Sequence, residues 1–557
     1  AQTAVTPSGM VETDTANAYL RITGSPSSVE NIAAIPINAN GKIFRLGDIA
    51  QISRGYADPP DPLMYYNGQP AVGIAISMED GGDNIQLGEN LAKEIERIQR
   101  ELPLGLELNQ VANQPEVVKA SISEFSQSLY EAIIIVLAVS LFSLGKRAGY
   151  VISCCIPLIL LGSFAAMLAL GIDLHKVSLG ALVISLGMLV DDAIVVVELM
   201  EVKMSEGMER KEAASYAFKT CAWPLFTGTV ITCLGFMPIA FSQASASEFA
   251  YSLFPVISVT LLLSWLVSAT LAPVLGYKWI RPSVIKADSY DSFFYRQFRS
   301  LLQWSLKHKA VIVGITVGLL SLSVYMLRFV SQEFFPASVR PELLVELNLP
   351  EGSSIKNTDA AARKLTELIK DDEDLDHVST YIGKSAPRFV LVIDPVQPRD
   401  NYAQLVVVAK SVEARQRLDK RINQLAAEQL PEAVAYSRTI PLGPPAPYPV
   451  MLRVSGSDDK QVKAYAQKVR EVMAAHPYVN MTRLDWLEQS NAVKITIDND
   501  KLLQMGLTRQ AVATALQAQV SGYTAATYLE GDQEIGIVFR LDPRERADIS
   551  QLERSEE

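Results

Sequence analysis

The stretch GMLVDDAIVVVE at residues 187–198 places two adjacent acids, Asp191 and Asp192, inside an apolar run that extends over residues 177–200. A helix crosses the hydrocarbon core of a bilayer with about 20 mostly apolar residues, so this run is long enough to span a membrane. Each charged acid near the centre of such a helix costs ~2.5–3.5 kcal/mol on insertion. The stretch therefore predicts a membrane-spanning helix whose two carboxyl groups are either neutralised by a partner or used for a function.

Apolar runs on both sides of this helix predict further spans, and the charges between them predict their orientation. Lys and Arg are concentrated after the first, third and fifth runs, whereas the loop 171–176 has one lysine and the loop 242–251 has none. Because cytoplasmic loops carry the excess of basic residues, we assign the basic loops to the cytoplasm and both flanks to the outside. The predicted spans are residues 128–144, 148–172, 177–200, 224–241, 252–280 and 310–330.

The acid pair has two interpretations. Carboxyl groups at this depth can hold a proton near neutral pH and release it when a cation approaches or water enters, which is the behaviour of a proton relay. The alternative is a pair neutralised by Lys or Arg from another span, with a role in assembly alone. The interiors of the other five predicted spans hold no Lys or Arg apart from Arg328 near the end of the sixth, so we expect a cationic partner from further sequence or from another chain.

Length and composition exclude several other classes of protein. The chain has 557 residues, too many for one domain, and its net charge of −11 argues against a nucleic-acid partner. The four cysteines lie in or beside the apolar runs, and no histidine stands near them at the spacing of metal ligands. We therefore predict no disulfide framework, no metal site and no cofactor.

The sequence outside the apolar runs divides into two flanks, residues 1–127 and 331–557, and a connector at 281–309. Within the connector, residues 291–306 mix aromatic and basic side chains, which is typical of an amphipathic helix on the cytoplasmic membrane face; packing on another domain is the alternative. The Pro-rich residues 441–449 predict a rigid extended spacer, with a polyproline ligand for another protein as the alternative.

Short strands and helices alternate along both flanks, which predicts small split β-α-β subdomains. The predicted strands are residues 65–69, which enter a turn, and 71–77, 106–111, 342–348, 402–410, 450–454 and 492–498. The predicted helices are residues 84–102, capped by Asn84, and 357–369, 459–475 and 508–519. The predicted fold class is an α-helical membrane protein with α+β periplasmic subdomains.

The predicted orientation places a requirement on the start of the chain. An exported N-terminal region needs a signal peptide or an earlier span, and residues 1–127 contain neither pattern. We therefore expect the chain to be a piece of a longer protein whose leading span comes before residue 1. The strand-like sequence near residue 557 is expected to continue as well.

Several motifs resemble one family, the resistance-nodulation-division (RND) efflux pumps of the hydrophobe/amphiphile branch. The run at 187–198 resembles the fourth-span motif of these pumps. The runs NGQPA at 67–71, FFP at 334–336, LPEG at 349–352 and YAQL at 402–405 are similar to the family as well. The resemblance covers essentially the whole chain. It implies that the six spans are like the family's second to seventh, that the flanks are halves of porter and docking domains, and that the chain covers about one repeat period.

The resemblance also implies a function. The family exports drugs and amphiphilic small molecules from the bacterial inner membrane as a proton antiporter, not an enzyme. It works as a homotrimer with a periplasmic adaptor and an outer-membrane channel. Asp191 and Asp192 would be its proton relay, whose lysine and arginine partners lie in later spans. The double acid argues against the heavy-metal branch.

A substrate-contacting loop is implied at residues 381–398, with Arg388 and Phe389 as candidate substrate-binding residues; simple core packing is the alternative for Phe389. This loop is less rich in Phe and Gly than that of the best-known pumps. Other possible roles are a protein-translocation aid or sensor on the same scaffold, and a nonfunctional truncated remnant.

Overall fold

The computed structural model describes residues 9–14, 17–19, 28–39, 41–143, 145–281, 293–330, 338–390, 392–443, 448, 450–479, 481–486, 489–530, 533–542 and 546. Contacts between these residues divide the chain into two units, residues 1–61 with 487–557, and residues 62–486. The motif at 334–336 and the segment 547–557 lie outside the described residues. Of the predicted spacer 441–449, only 441–443 and 448 are described.

The helices of the described residues begin and end as follows: α1 Val29–Ala33, α2 Asn84–Glu101, α3 Gln114–Ser143, α4 Gly145–Ala169, α5 Lys176–Ser205, α6 Arg210–Phe241, α7 Ser245–Ala250, α8 Leu253–Trp279, α9 Phe293–Lys307, α10 Lys309–Met326, α11 Ile355–Ile369, α12 Val412–Gln429, α13 Asp459–Ala474, α14 Asn499–Gln504 and α15 Arg509–Val520. Short 3-10 turns follow at Leu46–Asp48 and Leu327–Phe329.

The strands are β1 Met10–Glu12, β2 Asn17–Tyr19, β3 Pro36–Ala39, β4 Lys42–Arg45, β5 Leu63–Tyr66, β6 Gln69–Pro70, β7 Glu342–Asn348, β8 Leu375–Ile382, β9 Tyr402–Ala409, β10 Val434–Thr439, β11 Tyr523–Glu530 and β12 Gln533–Phe539. The larger of the two units contains one six-stranded sheet, and the other contains two-stranded hairpins.

Six helices are long and apolar enough to cross a membrane, which confirms the predicted number of spans: α3, α4, α5, α6, α8 and α10 with its 3-10 extension. Two of them begin well before the predicted start. Helix α3 begins at Gln114 instead of 128, and α6 begins at Arg210 instead of Pro224. Hydropathy identifies the apolar part of a helix that lipid can surround. The helix itself begins earlier, because its backbone hydrogen bonds continue through polar residues of good helix propensity. Pro224 lies inside α6, since a proline is tolerated in a membrane helix.

Helix α5 lies at the centre of the bundle. Its buried residues, among them Leu186, Leu189 and Met200, form a core cluster with side chains of α3, α4, α6 and α8. Small residues permit the close approach: a methyl group added at Gly276 of α8 would lie 2.8 Å from the sulfur of Met200. Helix α10 has no buried residue among those described. The amphipathic segment predicted at 291–306 is confirmed as a helix, α9.

The six-stranded sheet is antiparallel throughout, with the strand order β10-β7-β9-β8-β5-β6. Alternate residues of β7 face opposite sides, so Leu343, Val345 and Leu347 pack against α11 and α12, whereas Leu344 packs against the loop 383–398. The strands predicted at 342–348 and 402–410 are confirmed. Strands β8 and β10 and helix α12 were not predicted from the sequence.

Four predicted strands are wrong: residues 71–77, 106–111, 450–454 and 492–498 form no ladder with any described residue. Alternating apolar side chains predict a strand only where a second strand is available to pair with it, because cross-strand contacts stabilise sheets. Val72 and Ile74 are accordingly 92% and 79% exposed. The β-α-β unit predicted across 71–111 is therefore reduced to helix α2.

The start of α2 also corrects a predicted cap. The N-cap is Asp83, not Asn84, because the Asp83 carboxylate accepts from the backbone N–H groups of Ile85 and Gln86 at 2.8 and 3.1 Å. A carboxylate is also favoured by the positive end of the helix dipole.

The smaller unit pairs β1 with β2, β3 with β4, and β11 with β12. Within it, Arg54 donates two hydrogen bonds to the Glu530 carboxylate at 2.9 and 2.6 Å. Both side chains are solvent-exposed, so this pair adds little stability.

Candidate functional site

The two acids lie in the middle of α5, with the apolar residues of the bundle before and after them. Because adjacent residues on a helix point about 100° apart, they face different surroundings. Asp192 is half-buried, next to the fully packed Ala193, whereas Asp191 lies on the exposed face of the helix. The structure therefore separates the two carboxyl groups into an inner one and an outer one.

Asp192 faces a hydroxyl group on the neighbouring helix. Its Oδ2 lies 3.4 Å from Thr229 Oγ1 on α6, and that hydroxyl lies 2.9 Å from the carbonyl oxygen of Leu225. A hydroxyl carries one hydrogen, so Thr229 cannot donate to both groups at once. When it donates to Leu225, its oxygen can accept from a protonated Asp192; when it turns to Asp192, it can donate to the charged form. Thr229 thus suits both protonation states.

Sequence reasoning missed Thr229. It stands among Thr227, Thr232 and Cys233 in an otherwise apolar span, and hydroxyl groups in such a span often bond back to their own helix. Thr227 and Thr232 do so, donating to carbonyl oxygens four residues earlier. A threonine within an apolar run could therefore have indicated a hydroxyl partner for Asp192, but the sequence could not indicate which threonine reaches the acid.

A second hydroxyl fixes the helix that carries the acids. Ser264 Oγ of α8 donates to the carbonyl oxygen of Leu189 at 2.6 Å, about one turn before Asp192. Ser264 is fully buried, so water does not compete for this bond. The bond ties α5 to α8 at the level of the site.

The outer acid belongs to a continuous exposed face of α5. Ile184, Gly187, Asp191, Val195 and Glu198 are all exposed, and their spacing of three and four residues places them along one side of the helix. A side chain added at Gly187 would meet no atom within 4 Å. Neither acid of the pair forms an ion pair with a residue that the structure describes. A cationic partner from further sequence or from another chain stays a prediction.

Arg388 and Phe389 lie in the loop 383–398, on the six-stranded sheet and not among the membrane helices. Phe389 is half-buried and packs against a cluster that includes Leu344, Tyr381 and Val406. This contact is the packing that the alternative interpretation describes, and substrate contact by Phe389 stays a prediction. Arg388 is exposed.

The same sheet holds a buried polar cluster that the sequence did not indicate. The Glu346 carboxylate is 3% exposed and accepts from the Tyr402 hydroxyl, from Gln404 Nε2 at 2.9 Å, and from Arg438 Nε and Nη2 at 3.0 and 2.9 Å. Burial, and then the negative charge of Glu346, raise the pKa of Tyr402 well above its usual range. Tyr402 therefore remains a donor at any physiological pH, and the cluster is a fixed part of the sheet.

All four cysteines are free thiols: Cys154 is exposed, and Cys155, Cys221 and Cys233 are buried. Across the described residues, no group of three or more His, Cys, Asp or Glu side chains is arranged to hold a metal ion.

A family model and several curated proteins match most or nearly all of this chain. A family model described as the AcrB/AcrD/AcrF family matches residues 1–556. The multidrug resistance protein MdtC of Escherichia coli O139:H28 is 24% identical over 536 residues, which cover 92% of this chain and 50% of that protein. The MdtC proteins of Escherichia fergusonii and Shigella boydii serotype 4 match with the same identity and coverage. The chain spans about half the length of the curated relatives it matches.

Proposed function

This chain belongs to the AcrB/AcrD/AcrF family of resistance-nodulation-division permeases, and on that premise we propose that it forms part of a proton-driven exporter of drugs or other amphiphilic small molecules. The relatives it matches are named multidrug resistance proteins, and the family consists of transporters, not enzymes.

The arrangement of the acid pair carries the proposal. Two carboxyl groups remain in the middle of an apolar helix despite their cost, which marks them for a function in the membrane. Asp192 lies against a hydroxyl that can serve its charged and its protonated form. Asp191 lies on an open helix face, which a cationic side chain from outside the described residues can approach. We assign Asp192 as the group that takes up and releases the proton, and Asp191 as its exposed partner.

The energy of a proton is sufficient for this work. A proton that crosses a potential of ~200 mV releases about 4.6 kcal/mol, at 2.3 kcal/mol per 100 mV. This free energy supports a roughly thousandfold concentration gradient of a substrate exchanged one for one. Proton exchange at Asp192 would therefore be an adequate energy source for export.

The assembly and placement belong to the same proposal. The distribution of Lys and Arg supports cytoplasmic loops after the first, third and fifth spans, with both flanks in the periplasm. Family membership supports a homotrimer in the bacterial inner membrane, joined to a periplasmic adaptor and an outer-membrane channel. We assign Arg388 as a candidate contact for substrate, with Phe389 as the packed residue that holds the loop against the sheet.

Neutralising each acid in the full-length transporter tests the proposal. In cells that express it, we expect Asp191→Asn and Asp192→Asn to abolish the energy-dependent efflux of a fluorescent amphiphile, with normal amounts of protein in the membrane. Glu206→Gln is the matched control, because this acid ends the same helix and pairs with Lys203 at 2.8 Å outside the apolar run. Unchanged export in both aspartate variants would show that the pair is not a proton relay.

A further inference from the structure

A basic cleft lies where α4 begins and α8 ends. It has a volume of about 550 Å³ and is open to one side. The cleft is lined by Arg147, Tyr150, Cys154, Lys278, Trp279 and Arg281. Three of these six side chains are cations and none is an acid. Neither Asp191 nor Asp192 lines the cleft, and the cleft plays no part in the proposed proton relay.

The antiparallel packing of the two helices brings these cations together. Gly162 lies in the second half of α4 and Leu263 in the first half of α8, and a methyl group added at Gly162 would lie 3.3 Å from the Leu263 side chain. The first turns of α4 therefore meet the last turn of α8. The first turn of α4 has no acid, and the start of a helix carries the positive end of the helix dipole.

The cations of the cleft are exposed, and none of them forms an ion pair with a described residue. Arg147, Lys278 and Arg281 are all open to solvent. Like charges in one cleft repel each other, and an anion placed between them would relieve the repulsion. The structure thus favours a negatively charged ligand at this position.

Aromatic and apolar side chains indicate what kind of anion fits. Tyr150 and Trp279 are 56% and 42% exposed at the ends of helices long enough to span a membrane, and such rings are enriched at the level of the lipid headgroups. Further along the same face of α4, Leu158 and Leu161 are 47% and 66% exposed. A ligand bound to the cations could therefore extend an apolar chain along α4, which a free inorganic anion could not use.

We propose that this cleft binds the headgroup of an anionic phospholipid, with the acyl chains lying along α4. Basic pockets between membrane helices are the usual form of such sites. A headgroup with two phosphates matches three cations better than a headgroup with one, so cardiolipin is the best probe. The proposal needs only the membrane placement of α4 and α8, and it stands or falls separately from proton transport.

Lipid binding to the purified chain tests the site. The chain is exchanged into a mild detergent and titrated with cardiolipin, with zwitterionic phosphatidylcholine and with inorganic phosphate, and bound lipid is counted by native mass spectrometry. We expect at least tenfold tighter binding of cardiolipin than of phosphatidylcholine, and no displacement by millimolar phosphate. Displacement by phosphate, or equal binding of both lipids, would overturn the proposal.

Variants locate the binding. The triple substitution Arg147→Gln, Lys278→Gln and Arg281→Gln should weaken cardiolipin binding at least tenfold. The charge-conserving pair Arg147→Lys and Arg281→Lys should stay within threefold of the parent chain, which separates loss of charge from misfolding. Elution as a single species in size-exclusion chromatography checks the fold of each variant.

A second triple variant controls for non-specific charge. Arg210→Gln, Lys211→Gln and Lys219→Gln remove the same number of cations from α6, and none of these three residues lines the cleft. We expect cardiolipin binding within twofold of the parent chain. Equal losses in the two triple variants, or no loss in the cleft variant, would refute a specific site.

Discussion

Replacing Arg438 by Met in the six-stranded sheet should make the sheet open about a hundredfold more often. Arg438 donates two hydrogen bonds, at 3.0 and 2.9 Å, to Glu346, which is 3% exposed. After the substitution, the buried carboxylate keeps only the neutral donors of Tyr402 and Gln404. Removing one partner of a buried ion pair costs about 3–5 kcal/mol. Because the Arg438 side chain is itself 29% exposed, we take the lower end, about 3 kcal/mol or a hundredfold.

Hydrogen exchange of the whole chain, followed by mass spectrometry of peptides from β7 and β9, measures this opening directly. Arg363→Met is the matched control, because Arg363 is 58% exposed and lies 4.0 Å from its acidic partner; it should change exchange less than about threefold. The double variant Glu346→Gln with Arg438→Met removes both charges and should recover most of the loss. If Arg438→Met accelerates exchange less than about fivefold, or if the double variant exchanges as fast as the single one, the buried Glu346 carboxylate does not need Arg438 for the stability of the sheet.

Three further predictions concern the membrane helices. Thr229→Val removes the hydroxyl that faces Asp192 at 3.4 Å and should slow energy-dependent efflux of a fluorescent amphiphile without abolishing it. Thr229→Ser keeps the hydroxyl and should export at the parental rate. Parental efflux in the valine variant would contradict this role of Thr229. Gly149→Ala places a methyl group 2.8 Å from the α3 backbone and should destabilise the bundle by ~1–3 kcal/mol. Heating followed by size-exclusion chromatography should then leave less monodisperse protein. Gly314→Ala is the control, because the added methyl group meets no atom within 4 Å and should be neutral or slightly stabilising. Trp265→Phe removes the indole donor to a backbone carbonyl of α6 at 2.9 Å and should cost about 1 kcal/mol in the same heating assay; no change would show that the bond adds nothing.

The membrane spans could be predicted from the sequence because a spanning helix needs one property, a continuous run of apolar residues long enough to cross the bilayer. The ends of the helices could not, since α3 and α6 continue for about four turns through polar residues that hydropathy assigns to loops. Among the strands, 342–348 and 402–410 were found because their apolar residues are nearly continuous. Strand β8 mixes polar and apolar residues, and the false strand at 71–77 has a strand-like pattern without a partner.

Some residues of the candidate site could likewise be predicted from the sequence, and others could not. Asp191 and Asp192 were found because two acids in an apolar run are conspicuous in sequence alone. Thr229 was not, because it lies 37 residues from Asp192 and only the packing of α6 on α5 brings them together. The pair of Glu346 and Arg438, 92 residues apart, depends in turn on the order of strands in the sheet. Contacts between distant residues are set by topology, which local patterns do not encode.

The six-stranded sheet has a consequence for how the protein is made. Strand β5 ends at Tyr66, and its partner β8 begins only at Leu375, after all six candidate spans. At a synthesis rate of about 5–20 residues per second, β5 waits roughly 15–60 s for that partner to leave the ribosome. During this interval β5 and β6 expose unpaired backbone groups and half-apolar side chains, which invite pairing with other chains. We therefore expect the nascent protein to need holding factors, or rapid insertion of the spans, to keep this short hairpin from pairing with other chains until β8 is made.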